Sequence, residues 1–410
     1  MRLAVFVDQV FRRHGSSIST DESYILFPAS FVDELEEIVF IGRESGDPEP
    51  APYVLDDPRI SLLSLPFYPN LYQLWRANPK IYGQVRRMVA ERASSWDAIL
   101  ISGPHPIGQM IARQCAALGV VVVPLVRQNL VEQMAAHGNP LMRLLSMTAA
   151  GLLEWDFRRM SRDRLVLTVG TEMMEAYARH SPRVHNHFPC LIDDEKFQFF
   201  STLNGGADPR RLLCVCRLAP EKGHRFLFDA LSKLNHEGLT CHLDVVGDGE
   251  LEAELKNYVL SAGLESQVAF HGYVAYGPTL FELYDSAGIM VLPSLTEGFP
   301  QVINESLSVG LPTITSAVGG IPSFLTHEQT GIMVPPGDVC ALAEAIARLV
   351  RDQGLREALR RNGRELMRAN TLEANRAGVL RAVREEVEHA RRPPSIHAPV
   401  RLVPTGEGKT

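Results

Sequence analysis

Short apolar runs recur along the first half of the chain at Leu3–Val7, Ile38–Ile41, Ile60–Leu65, Ala98–Ile101, Val120–Leu125 and Leu165–Val169. Most are apolar throughout rather than at alternate positions, the pattern of strands covered on both faces. Helical spacing fills Leu71–Ala93, Ile107–Leu118, Leu141–Arg164 and Glu172–Arg179, and Thr20 is placed to cap a helix running to about Leu35. After an irregular stretch from Ser181 to Phe200, a second series begins. Its apolar runs are Leu212–Cys216, His242–Val246, Val268–Phe270, Ile289–Leu292, Pro312–Thr315 and Gly331–Pro335, and helices follow over Cys340–Arg351, Leu355–Ala369 and Thr371 to about Ala390. Strands alternating with helices predict an α/β protein with two doubly wound parallel sheets. The turn-rich Asn204–Pro209 predicts a boundary, giving domains over 1–190 and 205–370, and 391–410 reads as a disordered tail.

Sheets of this kind bind ligands beyond the carboxyl ends of their strands, so the loops after strands carry the candidate chemistry. The richest is Pro293–Pro312, PSLTEGFPQVINESLSVGLP, which follows Ile289–Leu292. A glycine turn leads there into a helix with Val302, Ile303, Leu307 and Val309 on its apolar positions, ending near Gly310. Backbone N–H groups and a helix dipole converging on one spot favour an anion. Glu297 in the turn and Glu305 in the helix add acceptors for hydroxyl groups. Phosphate and hydroxyls together describe a nucleotide-sugar. Arg217 and Lys222, five apart after the first strand of the second series, suit a diphosphate; a surface charge pair, Lys222 answering Glu221, is the alternative.

Other loops leave their alternatives open. His105 sits in the stiff Ser102-Gly103-Pro104-His105-Pro106 after a strand. Arg12-Arg13-His14-Gly15 and Arg127-Gln128-Asn129 are crevice candidates on the first half, or solvated loops. Gly272, Tyr273 and Val274 offer a backbone edge and an apolar wall to a base, or a simple turn. Gly247-Asp248-Gly249 is a tight turn, because Glu252 stands where a dinucleotide fingerprint needs glycine. His185, His187 and Cys190 have a metal-like spacing, but no second ligand cluster follows and a linker strand explains them.

A net charge of −7 argues against nucleic acid as partner. The six cysteines lie scattered, mostly in apolar runs, without paired spacing, which points to a reducing, cytoplasmic setting. No signal peptide or membrane span is legible. Leu141–Arg164 mixes Leu, Met and Trp155 with five arginines, a candidate for weak contact with anionic lipid at the inner membrane face.

The order and content of CRLAPEKG, VVGDGE, FHGYV, YDSAGIMVLPSLTEGFPQVINESLSVGLP, PTITSAVGGIPSFL and TGIMVPPGD, over Leu212–Asp338, resemble the retaining glycosyltransferases of family four. Glu297 and Glu305 match that family's E-x7-E element, while the first half matches only in layout. The resemblance implies a GT-B fold, two facing Rossmann-like domains with the last helix crossing back to the first. It implies that Arg217 and Lys222 hold the diphosphate, that Glu297 bonds sugar hydroxyls beside Gly298, Phe299 and Pro300, and that Glu305 takes the ribose diol. His105 would contact the donor sugar; Arg127, His14 and Gly15 are acceptor-side candidates from their loop positions alone. It further implies a UDP- or GDP-linked donor, a hydroxyl acceptor (small molecule, lipid-linked sugar or glycan), retained anomeric configuration and no metal or other cofactor. A nucleotide-sugar-binding protein without turnover is the alternative, separable by slow donor hydrolysis. A nicotinamide-dependent dehydrogenase is the third reading, disfavoured by the incomplete glycine fingerprint.

Overall fold

The computed structural model describes residues 1–15, 17–47, 49–68, 79–127, 130–135, 140–203 and 208–392. Gln128, Asn129, the boundary turn 204–207, the first part of the helix expected from Leu71, and most of the expected tail lie outside them. The first sheet comprises β1 (Arg2–His14), β2 (Ser17–Thr20), β3 (Glu37–Ser45), β4 (Tyr53–Leu55), β5 (Ile60–Leu65), β6 (Ala98–Gly103), β7 (Val121–Val126), β8 (Val166–Thr168) and β9 (Val184–Asn186). The second comprises β10 (Arg211–Val215), β11 (His242–Val246), β12 (Val268–Phe270), β13 (Ile289–Leu292), β14 (Thr313–Ser316) and β15 (Ile332–Val334). Six helices matter below: α1 (Pro106–Ala117), α2 (Pro140–Met160), α3 (His224–His236), α4 (Pro278–Ser286), α5 (Gln301–Val309) and α6 (Leu372–Arg391).

The second sheet is parallel throughout, in the order β12-β11-β10-β13-β14-β15. Strand order reverses between β10 and β13, so the loops leaving these two strands diverge to opposite faces and open a crevice. In the first sheet the parallel order is β5-β3-β1-β6-β7-β8-β9, and the reversal falls between β1 and β6. Each sheet is sandwiched: Leu212, Val245, Ile289 and Ile314 pack under α3, while Met290, Leu292, Ile303 and Leu307 fill the other face.

One expectation needs correction. The Arg12–Gly15 stretch is not a solvated loop: β1 runs on to His14, its register against β3 shifting between Phe6 and Val10, and the chain returns antiparallel as β2. The arginines there are neutralised at home, Arg12 by Asp21 at 2.8 Å and Arg13 by Glu44 at 3.3 Å. The helix expected from Thr20 is a set of short helical turns over 23–34, with Pro28 inside them.

α6 crosses from the second sheet to the first. Val379, Leu380, Val383 and Val387 join the first sheet's core, and Arg384 pairs with Glu34 at 3.1 Å. The two halves also meet where Gly170 faces Gly320; a Cβ on Gly170 would lie 2.9 Å from the Gly320 Cα. Beside that contact the Thr171 amide donates to the Ser323 hydroxyl.

Candidate active site

The reversal in the second sheet brings together residues 75 positions apart. Lys222, in the turn between β10 and α3, donates to Glu297 Oε1 at 2.6 Å, and the Ser294 hydroxyl donates to the same oxygen at 2.7 Å. Both charged side chains are largely buried, 14% and 7% exposed. Such a pair is held by its surroundings rather than by solvent. Gly319 fixes the Glu297 turn from behind: at φ +55, a Cβ there would stand 1.8 Å from the Glu297 carbonyl oxygen. Gly320 donates its amide to the Gly298 carbonyl at 2.8 Å.

α5 begins at Gln301 with Pro300 as its cap residue and no side-chain cap bond, so its first amides keep no side-chain acceptor. It ends on Gly310 in the left-handed region, as the sequence suggests. The Phe299 ring packs between Phe188 (5.1 Å) and Phe324 (4.9 Å), which leaves its backbone for any ligand. Glu305 is buried in α5, and Tyr284 of α4 donates to its Oε2 at 2.6 Å. Burial pushes the Glu305 carboxyl up, and the Tyr284 bond pulls it part of the way back. A carboxylate has further lone pairs, so one tyrosine does not exhaust it.

Arg217 points elsewhere. Its guanidinium pairs with Glu221 at 2.9 Å and is 72% exposed, so the charge pairs expected in this turn exchange partners: Arg217, not Lys222, answers Glu221. At the β12 end, Tyr273 is exposed, the Gly272 carbonyl accepts from the Gly247 amide at 2.8 Å, and Val274 is half-buried against the core.

The first sheet's reversal carries a polar cluster that only half shows in the sequence. His105 caps α1: its Nδ1 accepts from the amides of Ile107 (3.2 Å) and Gly108 (3.4 Å). The proton therefore sits on Nε2, 3.3 Å from Asp8 Oδ2 and 3.3 Å from the Tyr68 hydroxyl. Tyr68 donates to Asp8 Oδ1 at 2.7 Å, and Arg43 Nε lies 3.0 Å from the same oxygen. Burial works to raise the Asp8 carboxyl, but the His105 bond and the neighbouring charges prevail and hold it at about 2. With both ring nitrogens engaged and only 4% exposure, His105 is more enclosed than its crevice role requires, and Asp8 is the more open member. Asp8, Arg43 and Tyr68 are absent from the sequence-based list; the one signal for Asp8 is that it closes the apolar run Leu3–Val7.

The remaining candidates lie apart. The Arg127 guanidinium stacks 3.5 Å over the Tyr24 ring. His14 is the last residue of β1, and Gly15 forms the turn after it. His185 lies on β9, the linker strand, and His187 is buried against Phe27, so the metal-like spacing does not converge.

Two facing α/β domains of parallel sheet, each presenting polar residues at its strand reversal, define the GT-B fold. The Anabaena protein HepE in complex with UDP superposes with a TM-score of 0.67 over 94% of this chain and 100% of that one, at 15% identity, a likeness of fold. An uncharacterized glycosyltransferase of Methanocaldococcus jannaschii is 33% identical over 171 residues, 42% of this chain and 43% of the relative. A GDP-mannose-dependent alpha-mannosyltransferase of Mycobacterium tuberculosis is 29% identical over 277 residues, 65% of this chain and 68% of the relative. The chain spans less than half the length of the first curated relatives it matches, 43% and 40%. Residues 195–366 match the family model "Glycosyl transferases group 1".

Proposed function

We propose that the chain is a retaining glycosyltransferase that moves a sugar from a nucleoside-diphosphate donor to a hydroxyl acceptor. Residues 1–190 with α6 would form the acceptor half and 205–370 the donor half. The observation that carries this reading is the buried Lys222–Glu297 pair at the second sheet's reversal, beside a helix start without a side-chain cap. An ammonium has three donors, so Lys222 can keep Glu297 and still meet a phosphate oxygen. Glu297 keeps Oε2 for a sugar hydroxyl, and the backbone of Gly298, Phe299 and Pro300 lines the diphosphate. Arg217 leaves its exposed pair with Glu221 to join the grip when the donor enters. Glu305 takes the ribose diol, and Gly272, Tyr273 and Val274 border the base. His105 and Asp8 border the sugar from the first half, with Arg127, His14 and Gly15 farther towards the acceptor.

In the step itself the bond from the anomeric carbon to the β-phosphate oxygen breaks, and its electron pair stays on the phosphate. The acceptor oxygen bonds that carbon from the same face, and its proton passes to the departing phosphate. Lys222 and Arg217 act by offsetting the charge that grows there. No metal is called for at the sugar. UDP and GDP are the favoured carriers: the HepE structure holds UDP, and the mycobacterial relative is named for GDP-mannose.

Among the described residues no helix is long and apolar enough to cross a membrane. α2 does expose Leu144, Leu152 and Trp155, with Arg159 at 5.8 Å from the Trp155 ring, which supports peripheral contact with anionic lipid. The test of the main reading is a thermal-shift panel of UDP-, GDP- and ADP-sugars followed by the anomeric configuration of the product. A specific donor at about 100 times its Kd adds about 2.7 kcal/mol of stability. No shift with any donor overturns the reading, and an inverted product overturns its stereochemistry.

A further inference from the structure

Directly behind the diphosphate grip lies a group of side chains that the sugar-transfer reading does not use. Cys214 and Cys216 alternate with Val215 at the end of β10, so both thiols point to one face. His224, the first residue of α3, brings Nε2 to 3.3 Å from Cys216 Sγ, and the two sulfurs are 3.7 Å apart. Among the described residues these three form a cluster whose ligand atoms all lie within 4.8 Å of one another.

The two closest spacings match a known chemistry. A tetrahedral zinc ion with Zn–S near 2.3 Å and Zn–N near 2.05 Å sets its sulfurs about 3.8 Å apart and a sulfur and nitrogen about 3.5 Å apart. A second observation points the same way. His224 is 2% exposed, Cys216 is the hydrogen-bond partner of its Nε2, and its Nδ1 is buried with no partner at all. A buried imidazole with so little to hold calls for an explanation. Cys214 is fully buried while Cys216 is partly exposed, which gives an ion a way in. The charge also balances, since two thiolates neutralise a divalent ion.

We infer that Cys214, Cys216 and His224 form a binding site for a thiophilic divalent cation, Zn²⁺ above all, at the root of the Arg217–Lys222 turn. Loading exchanges two thiol protons, released to solvent, for two metal–sulfur bonds and adds one metal–nitrogen bond. Because Cys216 precedes the turn and His224 follows it, the ion clamps the ends of the segment that carries Arg217 and Lys222. The site is regulatory rather than catalytic, and its test needs no sugar donor.

The experiment uses the full chain with the exposed Cys340 replaced (Cys340→Ser), reduced with a phosphine and freed of metal by chelation and desalting. Titration with Co²⁺ should give the d–d and sulfur-to-metal bands of a tetrahedral thiolate site, saturating at about one equivalent and bleached by Zn²⁺. Cys214→Ser and Cys216→Ser should each abolish the bands, and His224→Gln should weaken binding by about tenfold or more. Zn²⁺ should raise the melting temperature of the parent and of neither cysteine variant. Absence of tetrahedral bands in the parent overturns the inference. Bands that persist unchanged in Cys214→Ser and Cys216→Ser overturn it equally, because the ion then sits elsewhere. The parent alone decides the first outcome, so the result does not hinge on a variant that fails to fold.

Discussion

Replacing Lys222 with methionine removes the cation from a pair whose members are 14% and 7% exposed and 2.6 Å apart. The Glu297 carboxylate then stays enclosed with only the Ser294 hydroxyl on its Oε1. Breaking a buried pair on one side costs about 3–5 kcal/mol, because the remaining charge is uncompensated. At about 2–4 °C per kcal/mol for a domain of this size, Lys222→Met should melt about 6–20 °C below the parent in the absence of donor. Glu297→Gln in the same chain removes the stranded charge, so the double variant Lys222→Met/Glu297→Gln should melt above Lys222→Met. Activity should follow the opposite rule. Lys222→Met should lower transfer by about 10²–10³-fold, and the double variant should recover none of it, since charge stabilisation at the leaving phosphate is gone in both. The assay is a double-mutant cycle of thermal melts beside donor turnover. The reasoning is refuted if the single variant melts with the parent, if the two losses of stability simply add, or if Lys222→Met retains near-parent turnover.

Gly319→Ala should cost more than about 1 kcal/mol and lower turnover at least tenfold, because its Cβ would stand 1.8 Å from the Glu297 carbonyl at φ +55; parent-like melts and rates would remove Gly319 from the donor loop's support. His187 is held neutral by burial, helped by the nearby His185 and Arg127 charges, with its pKa lowered to about 3. The unfolded chain therefore binds the extra proton first, and stability should fall as pH drops from about 6.5 towards 3, by about 2 kcal/mol already at pH 5. Denaturant titrations of His187→Leu should show that slope flattened, and an unchanged slope would show that His187 is not its source. Vesicles rich in anionic lipid should sediment the chain more than neutral ones, with the difference lost in Trp155→Ala/Arg159→Ala; equal sedimentation on both lipids would end the peripheral-contact reading.

The second half was legible in unusual detail because its loops follow strands of plain apolar sequence. The runs at Leu212, His242, Val268 and Ile289 coincide with β10 to β13, and Val302 to Val309 with α5. The first half was harder for physical reasons. Arg12 and Arg13 read as loop charges, yet a strand tolerates them when Asp21 and Glu44 sit across from it. β4 has three residues and pairs antiparallel with β2, too short for any periodicity. Within the site, Glu297 was visible from its own turn, but its partnership with Lys222 rests on strand order. The bond from His105 to Asp8 likewise spans 97 positions and is a product of topology alone. The free orientation of a side chain such as Arg217, turned outward to Glu221, leaves no trace in local sequence.

The meeting of Gly170 and Gly320 has a mechanical consequence. Two residues without side chains let the main chains of the two lobes touch directly, and Gly320 also holds the carbonyl of Gly298. Any hinge movement that parts the lobes must therefore tug on the peptide beside Glu297, the one proposed above to line the donor. Lobe spacing and the Glu297 turn are geared together through three glycines, so a ligand that fixes one would restrain the other.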